Sequence, residues 1–169
     1  MARFAAFLCA VNVGGTGKLP MAALRSMCEA EGFTAVETYI ASGNVAFTTA
    51  LSRDQAKTKL EKQLAQHFGK PAGLFLRDAD QLKAMIDRNP FLQAEGNRLM
   101  VILLAADPPR RMIEEAKNQR DEQIALGDAC LYVHYPSGMG QSKLKIPGAE
   151  QGTARNMNTI RKMLEIIRG

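Results

Sequence analysis

The strongest constraint on this chain is an order of short elements completed once by residue 76 and begun again at residue 99. Residues 3–11 are a brief, almost unbroken apolar run, the pattern of a strand covered on both faces. Pro20 suits the first turn of a helix, where its missing N–H would be unpaired anyway. Met21, Leu24, Met27 and Cys28 form one apolar stripe behind it, and Gly32 supplies the stop that positive φ requires. Val36–Ile40 and Val45–Thr48 read as strands around a Ser42-Gly43-Asn44 turn. Ser52 with Gln55 reads as a capping box for a helix burying Leu60, Leu64 and Phe68, and Leu74–Leu76 reads as a fourth strand. The order β-α-β-β-α-β is the ferredoxin-like split βαβ plan.

A short helix capped by Asp78 follows, burying Leu82, Met85 and Ile86 until Pro90 stops it. After the connector 90–97 the plan restarts with a buried strand at Leu99–Leu104. A helix from Asp107-Pro108-Pro109 turns Met112, Ile113 and Ala116 inward. A hairpin then joins 123–126 to 130–135 through Gly127-Asp128. The tail departs from the first half: a segment at 143–146, a Pro-Gly loop, and a helix expected from about Thr153 to Arg168. The expected fold is therefore α+β, with duplicated ferredoxin-like halves, antiparallel sheets and a C-terminal helix. The expected division is residues 1–89 and 90–169, sharing one core.

Composition narrows the function classes. At 169 residues, 46% hydrophobic and 23% charged, the chain has ordinary globular values. No stretch reaches the ~20 apolar residues of a membrane helix. The N-terminal apolar run is short and lacks a small-residue cleavage pattern, so it reads as a strand and not as a secretory signal. Cys9, Cys28 and Cys130 are an odd set with no Cys-x-x-Cys, which points to core thiols in a reducing cytoplasm and to no disulfide framework or zinc site. His67 and His134 have no Asp, Glu or Cys at ligand spacing, so neither a metal site nor a catalytic triad is expected, and nothing calls for a cofactor. The formal charge of +5 is uneven. Residues 141–169 hold six bases (Lys143, Lys145, Arg155, Arg161, Lys162, Arg168) against Glu150 and Glu165. That balance fits either attraction to an anion or a solvated basic helix.

The stretch Asn12-Val13-Gly14-Gly15-Thr16-Gly17-Lys18-Leu19-Pro20 invites a phosphate-loop reading and fails both nucleotide fingerprints. Leu19 stands where a Walker A loop needs a hydroxyl, and Asn12 where it needs its first glycine. Pro20 stands where a dinucleotide loop needs its last glycine. Topology still singles the loop out. In a ferredoxin-like half, the loop after the first strand and the hairpin between the second and third emerge at one end. Asn12, Gly14, Gly15 and Lys18 are thus expected beside Ser42, Gly43 and Asn44, near unpaired N–H groups at a helix N-terminus. The rim either holds a small anion or holds only itself, through glycine turns and asparagine hydrogen bonds.

In the tail, a helical wheel puts Asn156 on the buried face with Met157, Ile160, Met163, Leu164 and Ile167. A buried amide must be hydrogen-bonded, so Asn156 reads as a structural latch. Arg155 and Asn158 are candidates for contact with an anionic ligand.

Taken together, these segments resemble the bacterial proteins grouped as domain of unknown function 1697. The resemblance is carried by Asn12-Val13-Gly14-Gly15 with Lys18-Leu19-Pro20-Met21, by Gly32-Phe33, and by Tyr39-Ile40-Ala41-Ser42-Gly43-Asn44-Val45. Asn89-Pro90-Phe91 and Thr153-x-Arg155-Asn156-x-Asn158-Thr159 complete it. It spans essentially the whole chain and implies a duplicated ferredoxin-like architecture, without implying an activity. The family usually carries tryptophan where this chain has Met157. A ring that only packs is replaceable by methionine, whereas a ring that stacks on a ligand is not.

Three function classes follow. The first is a binding protein for a phosphorylated metabolite, nucleotide or nucleic acid at the Asn12–Lys18/Ser42–Asn44 rim. The second is a small hydrolase or transferase acting on a phosphate-containing substrate, by fold-level analogy with acylphosphatases. The third is a protein-interaction scaffold using an open sheet edge. Base stacking on the sheet face is disfavoured, because strand 3 offers only Phe47 and tryptophan is absent.

Overall fold

The first apolar run folds as strand β1 (Ala2–Leu8), buried on both faces as its unbroken pattern predicts: Phe4, Ala6 and Leu8 on one side, Ala5 and Phe7 on the other. A computed structural model describes residues 1–9, 19–40 and 43–169. By internal packing the chain divides into two units, Met1–Gln81 with Met163–Gly169, and Leu82–Lys162.

In the first unit, β1 is followed by α1 (Met21–Ala30), β2 (Thr34–Tyr39), β3 (Asn44–Thr49), α2 (Arg53–Phe68) and β4 (Leu74–Arg77). The sheet is antiparallel in the order β2-β3-β1-β4, the ferredoxin-like arrangement. Local chemistry sets the element ends. Gly32 (φ +81°) closes α1 in a Schellman motif: its N–H donates to the Glu29 carbonyl, and the Phe33 N–H donates to that of Cys28. Ser52 and Gln55 form the expected capping box on α2, and left-handed Gly69 ends it. Leu24 and Met27 of α1 and Leu60 and Leu64 of α2 pack on the even-numbered residues of β1 and on Val45 and Phe47 of β3. Phe47 is the centre of that cluster, stacked on Phe33 at 4.3 Å between centroids and tilted against Phe4 at 6.3 Å. Cys28 lies in the same core, where burial pushes its thiol up to about 12, so it stays protonated and inert.

Helix α3 (Ala79–Asp87) opens with a second reciprocal cap: the Gln81 N–H donates to Asp78 Oδ1, and the Asp78 N–H donates to Gln81 Oε1. The second unit then holds β5 (Leu99–Leu103), α4 (Arg111–Glu114), β6 (Gln123–Gly127), β7 (Cys130–His134) and β8 (Thr153–Asn156), before α5 (Met157–Arg168). Its antiparallel sheet has the order β6-β7-β5-β8, which repeats the first.

The repeat extends to register. Phe7 lies opposite Asn44 and Phe75; Leu103 lies opposite Cys130 and Thr153. One residue on, the Leu8 N–H donates to the Gly43 carbonyl at 3.0 Å and the Leu104 N–H to the Ala129 carbonyl at 2.9 Å. Both acceptor residues have left-handed backbone, φ +81° at Gly43 and +51° at Ala129. The duplication is thus one of backbone hydrogen bonding, which side-chain identity need not follow.

Two expectations are corrected in the second half. Residues 153–156, read as the first turn of the terminal helix, are instead strand β8 on the edge of β5, and α5 starts only at Met157. The wheel that placed Asn156 on a buried helical face therefore does not apply. Its Oδ1 accepts the Thr159 N–H at 2.9 Å, which makes it the cap at the strand-to-helix switch. Asn156→Ala is expected to lower stability by about 0.5–2 kcal/mol, with Asn156→Asp retaining most of it; urea unfolding of the three proteins checks this, and an unchanged alanine variant would rule the cap out. The second correction concerns the helix after β5, which is a single turn. The place of α2 is taken by a connector with a 3-10 turn at Ala149–Gln151 and one bridge between Lys117 and Lys145. Glu122 clips this region, accepting the Ser142 hydroxyl and the Arg120 N–H, and these bonds hold its carboxyl below the usual carboxylate range.

Candidate functional site

The rim in the first unit is built where β1 ends. The Leu8 N–H reaches the Gly43 carbonyl, and the Cys9 N–H reaches that of Gly73, both at 3.0 Å. The exit of β1 is thereby held between the β2–β3 hairpin and the start of β4. Gly43 carries the turn in left-handed conformation. Asn44 is fully buried, and its Nδ2 donates to the Tyr39 carbonyl at 2.9 Å, tying the two ends of the hairpin together. Asn44 thus braces the rim from behind. Ile40 is a residue that pattern-reading missed: a β-branched side chain at φ +54°, half exposed on the hairpin. A β-branched residue in left-handed backbone is strained, and such strain persists only where the surroundings enforce it. Its sequence signal is indirect, the absence of glycine or asparagine at a position that the turn forces to positive φ.

Asn12, Gly14, Gly15, Lys18 and Ser42 lie outside the described residues. Leu19, which follows Lys18, is buried in the core beside Leu24.

The tail residues belong to the second unit and are individually committed to structure. Arg155 is buried in β8, its Nη1 donating to Thr153 Oγ1 at 2.8 Å and to the Ala154 carbonyl at 3.0 Å. Asn158 is exposed as a whole, yet its carboxamide sits against Gly96, where an added Cβ would fall 1.9 Å from Asn158 Oδ1. Met157 has no solvent exposure, so at this position the methionine fills core space. Asn89 of the Asn-Pro-Phe motif accepts the Phe91 N–H at 2.9 Å through Oδ1, an Asx turn ahead of a tilted Phe91–His134 ring contact.

The C-terminal charge does not gather on one helical face. Lys143 and Lys145 are exposed on the connector, Arg155 is buried in a strand, and only Arg161, Lys162 and Arg168 lie on α5. Phe47, the one aromatic that strand 3 offered for base stacking, is fully buried. His134 Nδ1 lies 3.1 Å from Gln123 Oε1, and His67 makes an edge contact with Phe68. Among the described residues no group of three His, Cys, Asp or Glu could hold a metal ion, and no helix is long and apolar enough to cross a membrane.

Comparison with known proteins agrees with this architecture. The family described as "Protein of unknown function (DUF1697)" matches residues 1–132. Among solved structures, a conserved bacterial protein from Streptococcus pneumoniae superposes with a TM-score of 0.79 over 98% of both chains, at 24% sequence identity. At that identity the likeness establishes the shared fold. No curated protein matches the chain.

Proposed function

We propose, for a chain that belongs to the DUF1697 family of proteins of unknown function, that it is a cytoplasmic binding protein for a small phosphate-bearing ligand, a phosphorylated metabolite or a nucleotide. The ligand sits at the rim formed by the loop after β1 and the β2–β3 hairpin. The observation that carries this reading is the hydrogen bond from the Leu8 N–H to the Gly43 carbonyl, which ties the exit of β1 to the hairpin. The glycine-rich stretch carrying Lys18 follows in sequence an end of β1 that is bonded to a hairpin with left-handed, half-exposed Ile40. Glycines let main-chain N–H groups approach an oxyanion, and a lysine adds a full charge. Asn44 positions the hairpin and does not itself touch the ligand.

A thermal-shift screen of phosphorylated metabolites and nucleotides tests the reading. A ligand present at about a hundred times its Kd stabilises the fold by ~2.7 kcal/mol. Lys18→Ala is expected to abolish that stabilisation while leaving the unliganded unfolding temperature unchanged. Should no phosphorylated compound stabilise the protein, the reading fails. Nucleic-acid phosphate is the other source of the same chemistry, and it would be recognised by affinity that falls steeply with salt.

A further inference from the structure

The internal duplication gives the second half its own version of the strand-1 exit, at the end of β5. We infer that this exit is a second ligand site, one that takes a small organic oxyanion: a phosphate monoester or carboxylate on a compact apolar body. The inference does not depend on the rim in the first unit.

A cavity of about 340 Å³ opens there, between the loop 104–109 and the Pro147–Gln151 turn. That is the lower end of the range of small-molecule sites. Part of its wall is apolar, with Leu104, Pro108 and Met112 buried behind it and Pro147 at its edge. Its lining carries one carboxylate, Asp107, and one guanidinium, Arg111. The acidic side chains of this region are occupied by main-chain donors: Asp107 Oδ1 accepts the Ala129 N–H at 2.8 Å, and Glu150 Oε2 accepts the Gly148 N–H at 3.0 Å. Arg111 lines the cavity and is exposed, and its guanidinium has no hydrogen bond or ion pair among the described residues. Ala105, Ala106 and Asp107 are exposed residues lining the cavity, and their backbone N–H groups are likewise without an acceptor among the described residues.

Three consecutive amide donors and one guanidinium are complementary to an oxyanion, because all of them donate and none accepts. The proline and methionine walls favour an apolar body over a bare ion, since burying it removes apolar surface from water. The loop is not a copy of the glycine-rich stretch of the first half. It has no glycine and no lysine, and its cation comes from Arg111 one turn downstream.

The test is an amide-resolved NMR titration of the full chain with phenyl phosphate and, separately, benzoate, with benzyl alcohol as the uncharged control. Saturable shifts are expected at Ala105, Ala106 and Asp107 and at the Arg111 side chain with one or both anions. Arg111→Ala, an exposed change that leaves the fold intact, is expected to weaken binding about tenfold. Arg111→Lys is expected to recover part of the loss, and Lys18→Ala to have no effect at this site. Three results overturn the inference: no saturable shift at those amides with either anion, equal shifts with benzyl alcohol, or unchanged affinity in Arg111→Ala.

Discussion

Phe47→Ala is expected to destabilise the chain by about 3–5 kcal/mol, the largest loss any single core truncation should produce in the first unit. Phe47 has no solvent exposure and stacks on Phe33 at 4.3 Å with the rings 12° from parallel. Truncation removes transfer energy and also leaves a cavity, because β3 is held by hydrogen-bonded neighbours on both sides and cannot collapse inward. Leu92→Ala, at a side chain 78% exposed, is the matched control and is expected to be near neutral. Urea unfolding of both variants checks the pair, and similar losses in the two would contradict the core assignment. The consequence reaches the rim, since β3 begins at Asn44 and carries the hairpin on its end.

Gly152→Ala should be the most damaging glycine substitution in the second unit. A Cβ there would lie 2.2 Å from the Leu103 carbonyl oxygen and 2.9 Å from Leu104 Cδ2. The nearer atom is backbone, so relief requires moving β5 or β8 and not merely turning a side chain. Overpacking of this kind costs about 1–3 kcal/mol, and the displaced pair is the one that aligns Leu103 with Thr153. Gly140→Ala, where nothing lies within 4 Å and φ is not positive, is expected to be tolerated. Thermal unfolding distinguishes them. A Gly152→Ala protein as stable as Gly140→Ala would mean that β8 does not approach β5 in this register.

Much of the first unit was legible because its local signals agree with one another. Ser52 and Gln55 cap the helix they were read to cap, Gly32 adopts the left-handed stop, and the unbroken run of β1 is buried on both faces. The second unit was less legible where local and tertiary preferences compete. Thr153-Ala154-Arg155-Asn156 continues a helical wheel without a break, yet Gly152 permits close approach to β5 and the open edge of that strand draws 153–156 into the sheet. Edge pairing is a non-local hydrogen-bonding opportunity, and no window of sequence contains it.

The candidate sites divide the same way. The glycine-rich loop, Lys18 and the Ser-Gly-Asn hairpin were identifiable as residue types at a strand exit. The strain at Ile40 and the inward commitment of Asn44 required coordinates. The partners of Arg155 and Asn156 were likewise not legible: Arg155 bonds Thr153 Oγ1 within β8, and the structural bond of Asn156 is a helix cap.

By itself the sequence determined the family, the α+β class, the duplicated order of elements, and the failure of the glycine loop to match a nucleotide fingerprint. These follow from periodicity, caps and residue counts, which are local quantities. Only the tertiary structure decided that the duplication extends to register, with Leu8–Gly43 and Leu104–Ala129 as equivalent bonds, that the last strand precedes the terminal helix, and that the Arg111 guanidinium stands beside a cavity without a partner among the described residues while Arg155 is bonded within its strand. The reason is physical: whether a polar side chain is available depends on which donors and acceptors reach it, and those partners come from segments far away in the chain.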